Sequence, residues 1–339
     1  MLRKSAAALV LLLMTSPPAA AGPTLDKIKA QGTLRCGVGG SIPTFSKLDS
    51  KGQWSGLDVD YCRAMAAAVL GSPDKVSFVT LTLQQRFAAV QSGEVDLLAR
   101  DSIVNLTRDA SLGLIGVVTN FYTGAGFIVR RDAKITSIDH MNNATFCISQ
   151  GNSALGTLAD IMKAKGYTYK VIQFEKFQDT FQAFLAGRCD LAIAGAADLA
   201  GAQVLMAPNP AEFLVLDQLM SDDPYTLYIA RGDWELFAIV RWVHYGLLEA
   251  EKRDVTQANA DDLAANSKDV AVRRMLGRQD DLGKLLGLDK EWLLRVIQGV
   301  GNYGEIFDKH FGKNSQVKMA RGLNALTRDG GLMYVPPFN

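Results

Sequence analysis

Two stretches of the chain carry the same alternation of apolar and polar positions. The first is Phe87-Ala88-Ala89-Val90-Gln91-Ser92-Gly93-Glu94-Val95-Asp96-Leu97 and the second Phe181-Gln182-Ala183-Phe184-Leu185-Ala186-Gly187-Arg188-Cys189-Asp190-Leu191, with Phe, Ala, Gly, Asp and Leu in register. Each copy reads as the end of a helix, a glycine able to take the left-handed C-terminal conformation, and a short apolar strand. A helix-to-strand unit used twice predicts two similar α/β lobes facing each other, with the segments after the two strands meeting in the cleft between them. The first of these segments carries Arg100, Asp101, Ser102, Asn105, Thr107 and Arg108, whereas the second, Ala192-Ile193-Ala194-Gly195-Ala196-Ala197-Asp198, is almost bare.

Around the repeats the pattern alternates. Leu34–Val38 reads as a short strand closed by Gly39-Gly40. Asp58–Val69 has helical apolar spacing and stops at Gly71-Ser72-Pro73; Val76–Thr80 is a strand and Leu83–Gln91 a helix. The order strand, helix, strand, helix, strand predicts a parallel sheet. It restarts at Ala144–Ile148 and continues through a helix at Ala154–Lys165, a strand at Tyr169–Phe174 and a helix at Phe177–Ala186, which gives Cys147 the place that Cys36 has in the first lobe. From about Trp234 the pattern turns helical, with Trp242, Tyr245, Leu247 and Leu248 assigned to one face and further helices to about Lys318. Ligands of open parallel sheets sit beyond the carboxyl ends of the strands, so the residues after Val38, Leu98, Ile148 and Ile193 are the candidates.

The ends and the composition narrow the class. Met1-Leu2-Arg3-Lys4 is a basic head, Ala6 to Met14 an apolar run, and Pro17-Pro18-Ala19-Ala20-Ala21 offers small residues for cleavage. Residues 1–21 therefore read as a secretory signal peptide that leaves Gly22 as the mature terminus. No later run approaches ~20 uninterrupted apolar residues, the length of a membrane span. Export suits the four cysteines, since disulfides persist in oxidising compartments. Three pairings are possible, and the repeat favours Cys36–Cys62 within one lobe and Cys147–Cys189 within the other. A mature chain of roughly 300 residues suits two domains better than one core. The net charge of +1, with Lys and Arg spread along the chain, excludes a nucleic-acid footprint and a polybasic membrane patch.

Catalytic motifs are absent from the sequence. His140, His244 and His310 are scattered without zinc-type spacing, and there is no nucleophile elbow or phosphate-binding loop. Gly37-Val38-Gly39-Gly40 starts like a dinucleotide fingerprint, but Ile42 stands where its third glycine belongs. His244, beside Trp242 and Tyr245, reads as a packing residue. No metal, no cofactor and no enzymatic activity are expected.

Several motifs resemble a known family. Gly32-Thr33-Leu34-Arg35-Cys36-Gly37-Val38, Trp54-Ser55-Gly56-Leu57-Asp58-Val59-Asp60-Tyr61-Cys62, Gln91-Ser92-Gly93-Glu94-Val95-Asp96, Gly301-Asn302-Tyr303-Gly304-Glu305 and Arg321-Gly322-Leu323-Asn324-Ala325 are similar to those of the periplasmic binding component of general L-amino-acid ABC importers. The similarity runs from about Leu25 to Pro337 and includes a long C-terminal helical extension. It implies an α/β, two-lobed periplasmic binding protein fold, each lobe a mainly parallel sheet flanked by helices. Lobe one would comprise 22–124 plus 222–339 and lobe two 125–221, with hinges near Phe121–Phe127 and Leu214–Asp223. It further implies a periplasmic monomer that delivers an amino acid or related small carboxylate to an ABC permease. A periplasmic enzyme on the same fold, of the dehydratase kind, and a ligand-sensing receptor subunit are the alternatives.

The candidate site follows from residues and resemblance together. Arg108 follows a strand end and a polar loop, where a guanidinium fork suits a carboxylate; a surface pair with Asp109 is the plainer reading. Ser149-Gln150-Gly151-Asn152-Ser153 leads from a strand into a helix, so its N–H groups and Ser153 suit the same carboxylate, or Asn152 and Ser153 simply cap the helix. Phe45 and Trp54 are aromatic walls or ordinary core. The family writes Arg-Asn-Thr-Thr-Trp-Thr where this chain has Arg100-Asp101-Ser102-Ile103-Val104-Asn105, so Arg100 either orders the loop or reads a second acidic group. The family also places an Asp, for the ligand's α-ammonium, five residues after the Asp190 position, and here that place is Gly195; an aromatic of related binders falls at Ile42. Asp198 is a possible substitute, but as an Asp ahead of a helix at Leu199–Met206 it reads first as an N-cap. Asp101 is the other possible cation partner. On this reading ordinary L-amino acids bind poorly and an amine-free or N-substituted relative is preferred.

Overall fold

The computed structural model describes residues 22–338, so the signal-peptide expectation lies outside the described residues. The chain enters through α1 (Pro23–Gln31) and β1 (Leu34–Val38), followed by a small antiparallel sheet of β2 (Ser41–Ile42), β3 (Ser46–Leu48) and β4 (Trp54–Ser55). Next come α2 (Leu57–Leu70), β5 (Val76–Thr80), α3 (Arg86–Gln91), β6 (Leu97–Leu98), α4 (Leu106–Ser111) and the long β7 (Leu114–Thr123). After Gly124 the chain builds β8 (Ala125–Arg130), β9 (Thr145–Ser149), α5 (Ala154–Lys165), β10 (Lys170–Phe174), α6 (Phe177–Leu185), β11 (Leu191–Gly195), α7 (Ala196–Leu205) and β12 (Phe213–Val215). It then returns through β13 (Asp223–Ala230). Five helices follow: α8 (Trp234–Lys252), α9 (Ala260–Asn266), α10 (Val270–Met275), α11 (Trp292–Val300) and α12 (Tyr303–His310).

The two large sheets have the same plan. One runs β5-β1-β6-β13-β7 and the other β10-β9-β11-β8-β12. In each, three parallel strands are followed by one reversed strand, β13 or β8, and then by a strand that pairs antiparallel with it. The reversed strand is in each case the one entering directly from the other lobe. The crossing is tight: a side chain at Gly124 would come within 2.2 Å of the Ser221 carbonyl oxygen, so the outgoing and returning segments touch where only glycine fits.

Both bridges form within a lobe, as the repeat suggests. Cys36 on β1 joins Cys62 on α2 with Cα atoms 6.0 Å apart, and Cys147 on β9 joins Cys189 at the start of the second repeat's strand, 5.7 Å apart. Each ties a central strand to the helix or turn that covers it. The helical extension packs on lobe one, with His310 and Lys309 of α12 both bound to the buried Asp60 of α2, at 2.7 and 2.9 Å. His244 is buried and hydrogen-bonded to the Tyr61 hydroxyl at 2.7 Å, and burial brings its imidazole down to about 3, so it stays neutral. The buried side of α8 is formed by Leu236, Ile239, Val240, Val243 and Leu247. Trp242 and Tyr245 are only half-buried, with Trp242 against Phe338, so the single face assigned to them with Leu247 and Leu248 is corrected. Among the described residues no helix is long and apolar enough to cross a membrane.

Candidate functional site

The lobes meet around a cavity lined from both sides. It lies, as the strand rule requires, beyond the carboxyl ends of the parallel strands. Lobe one contributes Arg86, Arg100, Asp101 and Arg108, and lobe two contributes Ser149, Asn152, Ser153, Phe177, Gly195 and Asp198, with Asp223 and Tyr225 arriving on the return strand β13.

The guanidinium groups are held by backbone carbonyls. Arg100 donates from Nε to the Leu81 oxygen at 2.9 Å and pairs with the adjacent Asp101, whose φ of 30° lies in the left-handed region. Asp101 in turn points its N–H toward Asp58 of α2, at 3.4 Å. Arg108 sits in α4, capped by Asn105; its Nη1 donates to the Ile103 oxygen at 2.9 Å and its fork lies over the Phe87 ring. It makes no pair with Asp109. Arg86, absent from the sequence reading, lies over the same ring, bonds the Leu83 oxygen, and has an Nε enclosed without a partner. Burial, and then Arg100 and Arg108, bring the Arg86 guanidinium down to about 9. Burial lowers Arg108 as well. Arg86 follows β5, one of the parallel strands, and applying the strand-end rule to β5 would have found it.

The acids are held the other way. Burial, and then Asp101, push the Asp58 carboxyl up to about 8. Burial, then Asp101, push Asp198 well above the usual carboxylate range. Asp223 is raised by burial, against the pull of Ser221 and Arg108. The helix expected at Leu199–Met206 begins at Ala196, with Gly195 as its cap, so Asp198 lies inside the first turn and caps nothing. Instead its Oδ2 accepts the Tyr225 hydroxyl at 2.7 Å and its Oδ1 is enclosed with no partner.

The remaining sequence candidates divide between the lining and the core. Asn152 caps α5 by accepting the Ala154 N–H at 2.9 Å, the Leu155 and Gly156 N–H groups bond the Asn152 and Ser153 carbonyls, and the Ser153 side chain makes no cap. Ser102 is fully buried and donates to the Arg100 carbonyl at 2.5 Å, so it orders the loop rather than lining the cleft. Phe45 is core, packed on Phe121, Tyr225 and Phe311, and Trp54 stacks on Phe78 outside the cavity. The aromatic residues in the lining are Phe177, from lobe two, and Tyr225 on β13.

Comparison with known proteins agrees with this architecture. Residues 34–160 match the bacterial extracellular solute-binding proteins, family 3, and residues 98–234 match an NMT1/THI5-like model. A glutamate/glutamine/aspartate/asparagine-binding protein of Rhodobacter capsulatus is 40% identical over 94% of both chains. A general L-amino acid-binding periplasmic protein of Rhizobium johnstonii is 38% identical, again over 94% of each. The solved periplasmic binding protein of an ABC transporter from Brucella ovis, with glutathione bound, superposes with a TM-score of 0.90 at 40% identity, covering 93% of this chain and 99% of that one. With two lobes closed on a cavity of guanidinium groups, and with relatives this similar along nearly its whole length, the chain belongs to the family-3 bacterial extracellular solute-binding proteins.

Proposed function

We propose that this protein is exported to the periplasm, captures an amino-acid-type solute between its lobes and, closed, delivers it to an ABC permease. The observation that carries the reading is the pair Arg86 and Arg108. Both face the cavity from lobe one, and among the described residues neither makes a salt bridge. Guanidinium groups drawn out of water without counter-charge are unfavourable, and a ligand carboxylate supplies that charge through two parallel hydrogen bonds. Ser149, Asn152 and Ser153 add polar groups from the opposite wall. Two unpaired forks suit a solute with two carboxylates, a chemistry common to the glutamate and aspartate named for one relative and the glutathione held by another.

The protein acts as a monomer, without a cofactor, as a carrier rather than an enzyme. One observation bears on the enzyme alternative, because the raised Asp198 carboxyl meets the minimal requirement for a general acid. Both points are tested together. Thermal shift across L-glutamate, L-glutamine, glutathione, 2-oxoglutarate and succinate is expected to show the acidic solutes raising the midpoint, and NMR is expected to return each solute unchanged. If no solute shifts the midpoint, the carboxylate reading is lost; if a solute is converted, the protein is an enzyme.

A further inference from the structure

One group in the cleft is left unexplained by a carboxylate site alone. Asp198 lines the cavity and is 2% exposed; one of its oxygens accepts the Tyr225 hydroxyl, and the other is enclosed with no hydrogen-bond partner. Buried carboxyl oxygens are nearly always satisfied, so an enclosed one on a residue lining a ligand cavity lacks a partner that the ligand can bring. Three residues earlier, Gly195 offers no side chain and has no room for one. A Cβ added there would lie 2.1 Å from the Tyr225 hydroxyl and 2.6 Å from Asp198 Oδ2. The space in front of position 195 is therefore filled by the Tyr225–Asp198 pair.

We propose that Asp198, oriented by Tyr225, receives the ammonium group of the solute, so that the acceptor absent at Gly195 is supplied from one helical turn further along α7. The assignment rests on the cleft being a carboxylate site for amino-acid-type solutes, and it makes an amine a requirement for tight binding. The groups facing Asp198 are Tyr225 on β13, Arg100 and Asp101 after β6, and Asp58 on α2. In the empty cleft, burial and Asp101 favour the protonated carboxyl, while Tyr225 and Arg100 pull the other way. An ammonium at Oδ1 reverses the balance: the carboxyl gives its proton to solvent and the bound state is an ammonium–carboxylate pair. One proton leaves for each amine-bearing solute, none for an amine-free one. Because binding releases a proton, affinity for amine-bearing solutes rises with pH across neutrality.

Calorimetry of the mature chain with L-glutamate, L-glutamine and 2-oxoglutarate tests this, each titrated in two buffers of equal pH and different ionisation enthalpy. The expected result is release of close to one proton with either amino acid and none with 2-oxoglutarate, which differs from glutamate only in lacking the amine. Glutamate should bind at least ~10-fold more tightly than 2-oxoglutarate, as loss of a charge-assisted contact in a closed cleft predicts. Asp198→Asn should weaken glutamate by a few tens-fold or more and abolish its proton release. It should leave 2-oxoglutarate nearly unchanged; Tyr225→Phe should give a smaller loss in the same direction. The wild-type proton count decides the matter even if a variant does not fold. The proposal is overturned if 2-oxoglutarate binds as tightly as glutamate, if no proton is released, or if Asp198→Asn binds glutamate as the wild type does. If the wild type binds none of the three, the carboxylate reading fails first and this assignment falls with it.

Discussion

The two walls of the cleft grow from the same helix-to-strand unit and differ almost completely in charge. Lobe one presents Arg86, Arg100, Asp101 and Arg108, whereas lobe two presents Ala194, Gly195, Ser149, Asn152, Ser153 and a single acid, Asp198. A repeat therefore fixes where the backbone delivers the next residues and says nothing about what they are. On the charged wall each guanidinium is braced by a backbone carbonyl, of Leu83, Leu81 or Ile103. That bracing restricts the forks before any ligand arrives, which lowers the ordering cost of binding. On the bare wall, small residues let the lobes approach closely: Gly151 lies against Leu83 and Gln84, and Gly201 of α7 against Thr44. One wall supplies attraction and the other supplies fit.

The contrast is broken most severely at its charged end. Arg108→Ala is expected to cost roughly 2–5 kcal/mol of binding to an acidic amino acid, a few tens- to a few thousand-fold in dissociation constant. The thermal midpoint of the ligand-free protein should change little, because Arg108 bears no salt bridge to lose. Calorimetry beside a melting curve checks both, and unchanged affinity would assign the carboxylate to Arg86 alone. On the bare wall the effect is steric and smaller. A Cβ at Gly201 would lie 2.7 Å from Thr44 Cγ2 and 2.9 Å from its Oγ1, so Gly201→Val should hold the lobes apart and weaken binding about 10-fold by disfavouring closure. The added variant Thr44→Ala should recover most of that loss, and small-angle scattering should show the single variant more extended with ligand present. Failure of the rescue would mean that α7 itself, not closure, was damaged.

The smallest effect concerns Gly195. Restoring an acid there looks, from sequence, like a way to favour amino acids, but Tyr225 already fills the space. Gly195→Asp alone should therefore give no gain in glutamate affinity and a lower thermal midpoint, whereas Gly195→Asp with Tyr225→Ala should bind glutamate more tightly than Gly195→Asp alone. A gain from the single change would show that Tyr225 yields easily.

Much of this was legible beforehand because it is local. The strand at Leu34–Val38 and the helix at Ala154–Lys165 appear with the expected bounds, since apolar period and glycine stops act within a few residues. The helix expected from Leu83 opens with a turn in which Thr82 and Gln85 exchange the hydrogen bonds of a capping box, and regular helix begins at Arg86. Phe45 and Trp54 are ambiguous between wall and core in the sequence, because an aromatic side chain suits either place until its neighbours are known. Asp198 was the costlier miss. Read along the chain, an Asp ahead of a helix suggests a cap, and its role depends on Tyr225, 27 residues later on a strand of the other lobe's sheet.

By itself the sequence determined two α/β lobes from a repeated unit, one disulfide in each, a helical C-terminal extension and a charged segment carrying Arg100 and Arg108. These rest on spacing, turn chemistry and residue type, which are properties of short stretches. Only the tertiary structure decided that Arg86 joins the cavity, that Ser102 and Phe45 do not line it, and that the space at Gly195 belongs to a tyrosine and an aspartate. Those are questions of which distant side chains share a few cubic ångströms and are drawn out of water together. Burial and neighbouring charge then set which carboxyls keep their protons, and both exist only once the lobes have folded and met.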